Sequence, residues 1–97
     1  MEEARLPTVE VKIIDKFRGG MIHYREDAKT VIFEWEFGGS VTALIWGAKA
    51  RDWDTRYPWA VGRQAEIYDF VAKEAIRQKS PASTFETDLT SGTITIR

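Results

Sequence analysis

The sequence predicts an α+β domain in which an antiparallel sheet, with the element order β-β-β-β-α-β-β, carries one long amphipathic helix on one face. Residues 8–18 and 30–37 alternate apolar and polar side chains with the period of two that is typical of strands, and Val41–Trp46 is apolar at nearly every position, as in a strand covered on both faces. Residues 60–78 change to the 3.6-residue period of an amphipathic helix. Residues 85–96 then return to alternation. Because a helix packed on a sheet lets each element bury its apolar side, these three observations favour this class.

The composition is that of a single small globular domain spanning residues 1–97. The chain has 14 Lys plus Arg, 15 Asp plus Glu and 43% hydrophobic residues, which is too apolar for a disordered chain. It has no cysteine, which excludes disulfides and thiolate metal sites. The net charge of −1 disfavours a strong electrostatic grip on nucleic acid. The acidic start Met1–Pro7 lacks the apolar region of a signal peptide and Val41–Trp46 is too short to span a membrane, so a cytoplasmic location is expected.

The first two strands are predicted in residues 8–18 and in Met21–Arg25. In the first, the side chains that share the apolar face are Val9, Val11 and Ile13. Gly19-Gly20 is predicted to make the turn between the two strands, because glycine adopts turn conformations without strain. The polar residues 26–29 form a connection of hairpin length to the third strand.

The third strand, residues 30–37, has the clearest alternation, and the fourth is predicted in Val41–Trp46. Gly38-Gly39-Ser40 supplies the reversal between them. The register of the fourth strand stays open, because it depends on the loop length. A two-residue loop would place Leu44 and Trp46 beside Phe33 and Val31. A three-residue loop would place there Val41, Ala43 and Ile45 instead.

The helix is predicted to begin at Pro58, whose missing N–H costs nothing at the first helical position, with Asp54 or Thr55 as the cap. It is expected to end before Pro81. The apolar stripe predicted to face the sheet comprises Val61, Ala65, Tyr68, Ala72, Ala75 and Ile76, flanked by Ile67 and Val71. A final hairpin follows, with its turn at Thr90-Ser91-Gly92.

The second face of the sheet is more apolar than a fully solvated face needs. It is expected to carry Ile14, Ile32 and either Leu44 or Ile45. Since one helix covers only one face, either the sheet curls on itself or a second copy of the chain covers this face. The sequence therefore favours a non-catalytic protein-interaction or self-associating module, with a homodimer through the second sheet face as the candidate assembly.

Four aromatic side chains are the candidate contacts for a protein partner: Trp53, Tyr57, Trp59 and Phe70. The first three lie in the segment Trp53–Trp59, at the predicted connection into the helix, and Trp and Tyr are frequent anchors of interfaces. Phe70 falls on the charged face of the predicted helix, away from the apolar stripe. The alternative interpretation is that Trp53 and Trp59 fold inward and close the edge of a small core.

Basic residues cluster around the start of the predicted helix, where backbone N–H groups also favour anions. Arg51, Arg56 and Arg63, with Lys49 nearby, are the candidate anion contacts. Together with the aromatic side chains, which stack on bases, they suggest an alternative function as a weak single-stranded nucleic-acid-binding domain. The order of four strands followed by a helix resembles, in layout, that of a family of coactivators that bind single-stranded nucleic acid. This resemblance implies the same alternative function.

A second alternative is a small enzyme that uses Asp52, Asp54 or His23. The two aspartates have the spacing that opens a calcium loop, but Tyr57 stands where that loop needs glycine and Arg63 where it needs glutamate. The single histidine excludes a metal site built on paired histidines. No glycine-rich phosphate loop is present in the sequence. The sequence therefore predicts no enzymatic activity, no metal and no cofactor.

Overall fold

The computed structural model describes residues 8–97 and confirms the α+β class. Within these residues, six strands form one antiparallel sheet, which two helices accompany. The strands are β1 (Val9–Lys16), β2 (Gly19–Glu26), β3 (Lys29–Phe37), β4 (Ala43–Trp46), β5 (Phe85–Asp88) and β6 (Thr93–Ile96). The helices are α1 (Ala50–Arg56) and α2 (Gln64–Lys79), with a 3₁₀ turn at Pro58–Ala60 between them. Residues 1–7, on which the expectation of no signal peptide rests, lie outside the described residues.

The strands lie in the order β1-β2-β3-β4-β6-β5, so β1 and β5 are the two edges of the sheet. The final hairpin folds back so that β6, rather than β5, pairs with β4. The turn predicted at Thr90-Ser91-Gly92 is confirmed. Gly92 has a φ of 76°, a left-handed conformation that glycine adopts without the penalty of a Cβ atom.

The turn predicted at Gly19-Gly20 is wrong, because both glycines belong to β2, which begins at Gly19 rather than Met21. Phe17 and Arg18 make the turn, and Arg18 takes the left-handed conformation with a φ of 67°. Gly20 pairs with Trp35 across β2 and β3. A Cβ atom on Gly20 would overlap the carbonyl oxygen of Ile14. This glycine is therefore required for close packing inside the sheet.

The fourth strand is shorter than predicted and begins at Ala43 rather than Val41. Residues 38–42 form a five-residue loop, which replaces the predicted reversal of two or three residues. Trp35 pairs with Ile45 in the resulting register. Because five and three are both odd, this loop assigns the residues of β4 to the same faces as the predicted three-residue loop would. Ala43 and Ile45 therefore point to the helix side of the sheet.

Two helices, rather than one, accompany the sheet. Residues 50–56, predicted to be a loop, form α1. Pro58 opens a 3₁₀ turn, and α2 begins only at Gln64. Neither of the predicted residues caps α2: its N-cap is Arg63, which makes no side-chain cap hydrogen bond.

The later start of α2 also changes the predicted apolar stripe. Val61 and Ala65, predicted to face the sheet, are exposed. The remaining stripe is confirmed: Ile76 is half-buried and the buried members are Ile67, Tyr68, Val71, Ala72 and Ala75. Helical periodicity thus identified the buried side of α2 but extended it one turn too far toward the N-terminus.

The core lies between α2 and one side of the sheet, which is called the core face. Its fully buried strand residues include Val31, Phe33, Ile45 and Ile94. The ring of Tyr68 meets Phe33 edge-on at 5.1 Å, and the ring of Trp53 lies 6.0 Å from that of Tyr68. Burial raises the pKa of Tyr68 to about 12, so this hydroxyl stays protonated and acts as a donor within the core.

Candidate functional site

The candidate contact residues Trp53 and Tyr57 lie in the core. Trp53 is 1% exposed, and its indole Nε1 donates a hydrogen bond to the Ala60 carbonyl at 2.8 Å. Tyr57 is also buried, and its ring lies 4.9 Å from that of Trp53. The alternative interpretation, in which the segment folds inward, therefore describes Trp53. In this structure neither side chain offers a face on which a base or a partner side chain can stack.

Trp59 and Phe70 are the candidate contacts that keep part of their surface. Trp59 is half-buried, and the Lys29 ammonium lies 5.8 Å from the centroid of its ring. Phe70 is 39% exposed and meets Tyr24 edge-on, with 5.8 Å between ring centroids. Phe70 therefore packs on β2 from α2, and a partner contact at these two residues stays a prediction.

Arg63, a candidate anion contact, is held by two carboxylates of the chain itself. Its guanidinium donates hydrogen bonds to Glu26 at 2.8 and 3.0 Å and to Glu66 at 2.6 Å. The Tyr24 hydroxyl donates to Glu26 at 2.8 Å. The hydrogen bonds from Arg63 hold the pKa of Glu26 below its ordinary value, whereas burial, aided by Glu26, raises the pKa of Tyr24 to about 12. This cluster ties the start of α2 to the end of β2.

We expect the Glu26–Arg63 contact to make stability depend on acid pH. Because the pKa of Glu26 is lowered in the folded chain, its contribution is complete above the ordinary pKa of 4.5 and is lost as pH falls through the lowered value. Glu26→Gln should cost about 1–2 kcal/mol at neutral pH and flatten the fall in stability toward low pH. Urea unfolding measured from pH 7 down to pH 3 tests this expectation. Glu26→Asp is the control, and a Gln variant with the unaltered acid dependence would contradict it.

Arg51 and Arg56, the other candidate anion contacts, are exposed on α1. The Arg51 guanidinium lies 3.8 Å from the Asp52 carboxylate, so it too has an acidic neighbour. Since Arg63 is occupied by carboxylates, the three arginines do not present three free cations to one ligand. Anion binding at Arg51 and Arg56 stays a prediction.

His23, Asp52 and Asp54 are not gathered into one site. His23 lies on β2 opposite Ile32, on the side of the sheet away from Phe33. Asp52 and Asp54 are exposed on α1, where Asp54 Oδ1 accepts a hydrogen bond from the Gly62 N–H at 3.2 Å. Within residues 8–97, no group of three or more His, Cys, Asp or Glu side chains is placed to hold a metal ion.

The sheet side opposite the core face is called the open face, and it is the first candidate surface. The paired registers place on it Glu10, Lys12, Ile14, Lys16, Met21, His23, Arg25, Thr30, Ile32, Glu34, Glu36, Leu44, Trp46, Glu86, Asp88, Thr93 and Thr95. Ile32 is 44% exposed, and the other large apolar side chains of this face are half-buried. Trp46 Nε1 donates a hydrogen bond to Glu34 Oε2 at 2.9 Å, which fixes the indole across two strands.

Charges on the open face are segregated across the sheet. On β1 and β2 the cations Lys12, Lys16 and Arg25 are accompanied by one carboxylate, that of Glu10. On β3 and β5 the carboxylates are Glu34, Glu36, Glu86 and Asp88, and Arg97 is bonded to Glu86. One half of the face is therefore basic and the other acidic, and both halves carry apolar side chains. The alternation of the sequence predicted the apolar members, but only the strand order reveals the segregation of charge.

The second candidate surface is an apolar cleft of about 390 Å³ on the core face, beyond the end of α2. Its floor is formed by Ile13, Ile22, Trp35, Phe37, Ile45 and Ile96. Ala75, Lys79 and Ser80 line it from the C-terminal end of α2, and Asp15 and Lys16 line it from β1. The sequence analysis missed this cleft, because its residues come from six separate segments. No sequence signal marks the cleft, and in the structure Phe37, an apolar strand residue of its floor, is 64% exposed.

Comparisons with known proteins give this chain no relative. No family model, no curated protein and no solved structure matches it. Within the part of the chain that the structure describes, no helix is long and apolar enough to cross a membrane. The two surfaces themselves therefore provide the basis for a functional proposal.

Proposed function

We propose that this chain is a non-catalytic, self-associating interaction module that pairs with a second copy through the open face. The observation that supports this proposal is the segregation of charge on a face that also carries Ile14, Ile32 and Trp46. A solvated face has no need for these apolar side chains, and a partner of the opposite charge pattern suits the two halves. A second copy of the chain, turned to face the first, presents that opposite pattern.

A two-fold axis parallel to the strands satisfies the charges of both copies. Rotation about such an axis inverts the order of strands across the interface, so β1 of one copy faces β5 of the other. Lys12 then approaches the partner copy's acidic half, and the same contact recurs on the other side of the axis. An axis perpendicular to the strands would instead place like charges together, which is unfavourable.

The size of the open face suits an association of moderate strength. Strands about 4.8 Å apart and residues about 3.3 Å apart give each copy roughly 500 Å² of sheet in plan, or about 1,000 Å² for the pair. Stable specific interfaces begin near that size. We therefore expect dimers whose dissociation is observable by dilution and whose affinity falls as salt is added.

Charge exchange between copies tests the proposal. Lys12→Glu should repel the partner's acidic half and Glu86→Lys should repel its basic half, so each variant alone is expected to be monomeric. Mixing the two should restore association, because each altered half then meets a half of opposite charge. Sedimentation over a concentration range, with each variant alone and with the mixture, measures this outcome.

Lys49→Glu is the matched control, because it makes the same charge change at the N-cap of α1, off the sheet. It should associate like the unaltered chain. The proposal fails if the unaltered chain stays monomeric at high micromolar concentration. It also fails if the mixture of Lys12→Glu and Glu86→Lys associates no better than either variant alone.

A further inference from the structure

Two phenylalanine side chains are exposed together at one end of the sheet. Among the described residues, Phe17 and Phe37 are the most exposed of the large apolar side chains, at 96% and 64%. Phe17 lies in the turn between β1 and β2, and Phe37 is the last residue of β3. The Phe37 N–H donates a hydrogen bond to the Arg18 carbonyl at 3.2 Å, so the turn lies against the end of β3. Single exposed apolar side chains are ordinary, but two at neighbouring positions indicate an interaction surface, which is called the aromatic tip.

The surroundings of the aromatic tip are mostly uncharged. The loop at residues 38–42, which has no charged side chain, lies at the same end of the sheet. Phe37 also lines the apolar cleft, and Asp15 and Lys79 at the rim of that cleft bind each other at 3.0 Å. The turn between β2 and β3 at the opposite end, residues 27–28, has no large apolar side chain. The aromatic tip can therefore approach an apolar phase without taking a charge of the loop out of water.

The exposed charges that flank Phe17 are both positive. They belong to Lys16 and Arg18, and within residues 8–97 neither has a carboxylate partner. At this end of the described chain, the unpaired carboxylate side chain is that of Glu36, which lies two strands from Lys16. Two cations against one carboxylate leave a positive excess at the tip, although the whole chain has a net charge of −1. A negatively charged surface is therefore favoured there.

A bilayer surface suits this arrangement better than the pocket of a protein partner. Anchor residues of protein interfaces are surrounded by contacts that exclude water. Phe17 is 96% exposed in a two-residue turn, so the chain provides no such surrounding contacts. Lipid headgroups close around an inserted ring without them. Anionic lipids also attract cations, by about fivefold in affinity for each Lys or Arg near the surface.

We propose that the aromatic tip binds this chain to an anionic bilayer surface, with Phe17 and Phe37 in the interface and Lys16 and Arg18 among the headgroups. Two rings and a small excess of charge give weak, reversible binding, comparable with that of a single acyl chain. The two-fold axis proposed for the open face runs parallel to the strands, so it leaves the tips of both copies at the same end of a pair. Binding through the tip is therefore open to one copy or to two.

Cosedimentation with vesicles tests the proposal on the unaltered chain. Phosphatidylcholine vesicles with about 30% phosphatidylserine should bind the chain at millimolar lipid, about fivefold more tightly than phosphatidylcholine alone. Added salt should reduce this preference, because it screens the attraction between the cations and the lipids. Equal binding to both kinds of vesicle would overturn the proposal. So would the absence of binding to the anionic vesicles, which would leave the tip to a protein partner.

Replacement of the ring should weaken binding. Phe17→Ser is expected to reduce affinity for the anionic vesicles about tenfold, because the apolar area that enters the interface is lost. The ring is almost fully exposed, so this variant should fold like the unaltered chain. Val61→Ser is the matched control, because it makes the same kind of change at a 57% exposed residue before α2. It should bind unchanged, and equal losses in the two variants would contradict the proposal.

A tryptophan at the tip reports whether the side chain enters the bilayer. Brominated acyl chains quench an indole that reaches them, so Phe17→Trp should show more quenching than the unaltered chain with its four tryptophans. Val61→Trp is the control and should add no quenching. If Phe17→Trp adds none either, the tip does not insert and the proposal fails.

Arg18→Gln separates the charge from the rings. It should remove most of the preference for anionic vesicles and leave binding to phosphatidylcholine unchanged, whereas Arg18→Lys should keep the preference. An unaltered preference in Arg18→Gln would overturn the assigned role of the cations. Because Phe17 and Arg18 lie in the turn, outside the open face, failure here leaves the self-association test unaffected.

Discussion

Trp53→Ala is expected to lower the free energy of unfolding by about 3–5 kcal/mol. The indole is 1% exposed, contacts the rings of Tyr57 and Tyr68, and donates its only N–H to the Ala60 carbonyl. Its removal leaves a large cavity and takes away one of the two hydrogen bonds that the Ala60 carbonyl accepts, the other coming from the Arg63 N–H. For a domain of this size the loss corresponds to a fall in Tm of roughly 12–40 °C. Thermal and urea unfolding followed by circular dichroism measure both quantities.

Trp59→Ala is the matched comparison for that result. Trp59 lies six positions along the chain and is only half-buried, so its loss should cost less than half as much. Trp53→Phe keeps an aromatic ring and removes the indole N–H, and it should fall between the other two variants. If Trp53→Ala unfolds at the same temperature as the unaltered chain, Trp53 is not the core residue described above.

Gly20→Ala is expected to cost about 1–3 kcal/mol or more, even though alanine is ordinarily tolerated in strands. The added Cβ would overlap the Ile14 carbonyl oxygen and lie 3.1 Å from Trp35 Nε1. Strand β1 would have to move away from β2, and the core residues that line this end of the sheet would move with it. Urea unfolding gives the change in free energy directly.

Gly39→Ala controls for the general effect of replacing a glycine. Gly39 lies in the loop between β3 and β4, and a Cβ atom there would meet nothing within 4 Å. Its replacement should be neutral or slightly stabilising, because it reduces the freedom of the unfolded chain. Equal effects of the two substitutions would show that the contact at Gly20 imposes no constraint.

Local patterns predicted some parts of this fold because their signals lie within one segment. In residues 30–37 every second side chain is apolar. This period of two indicates a strand, because successive side chains of a strand point to opposite faces. The stripe from Ile67 to Ala75 has the helical period, so the buried side of α2 followed from it. Trp53, by contrast, is as compatible with a surface as with a core, and only the neighbouring Tyr68 decides where it lies.

Turn positions were harder to predict, because glycine serves two purposes. Gly19-Gly20 is typical of a turn, and Gly20 instead allows β1 and Trp35 to approach closely. The actual turn uses Arg18 in a left-handed conformation, a position at which sequence patterns favour glycine or asparagine. The sequence shows only the preference of glycine for turns. The close approach of β1 to Gly20 is seen only when β1 and β2 are paired in the structure.

The sequence by itself determined the class of the fold, the alternation of its strands and the buried side of its longer helix. Periodicity is a property of neighbours along the chain, so it needs no tertiary information. Only the tertiary structure decided the order β1-β2-β3-β4-β6-β5, the division of the open face into a basic and an acidic half, and the cleft beyond Lys79. These features join residues that are distant in sequence, and their free energies depend on distances that no local pattern encodes.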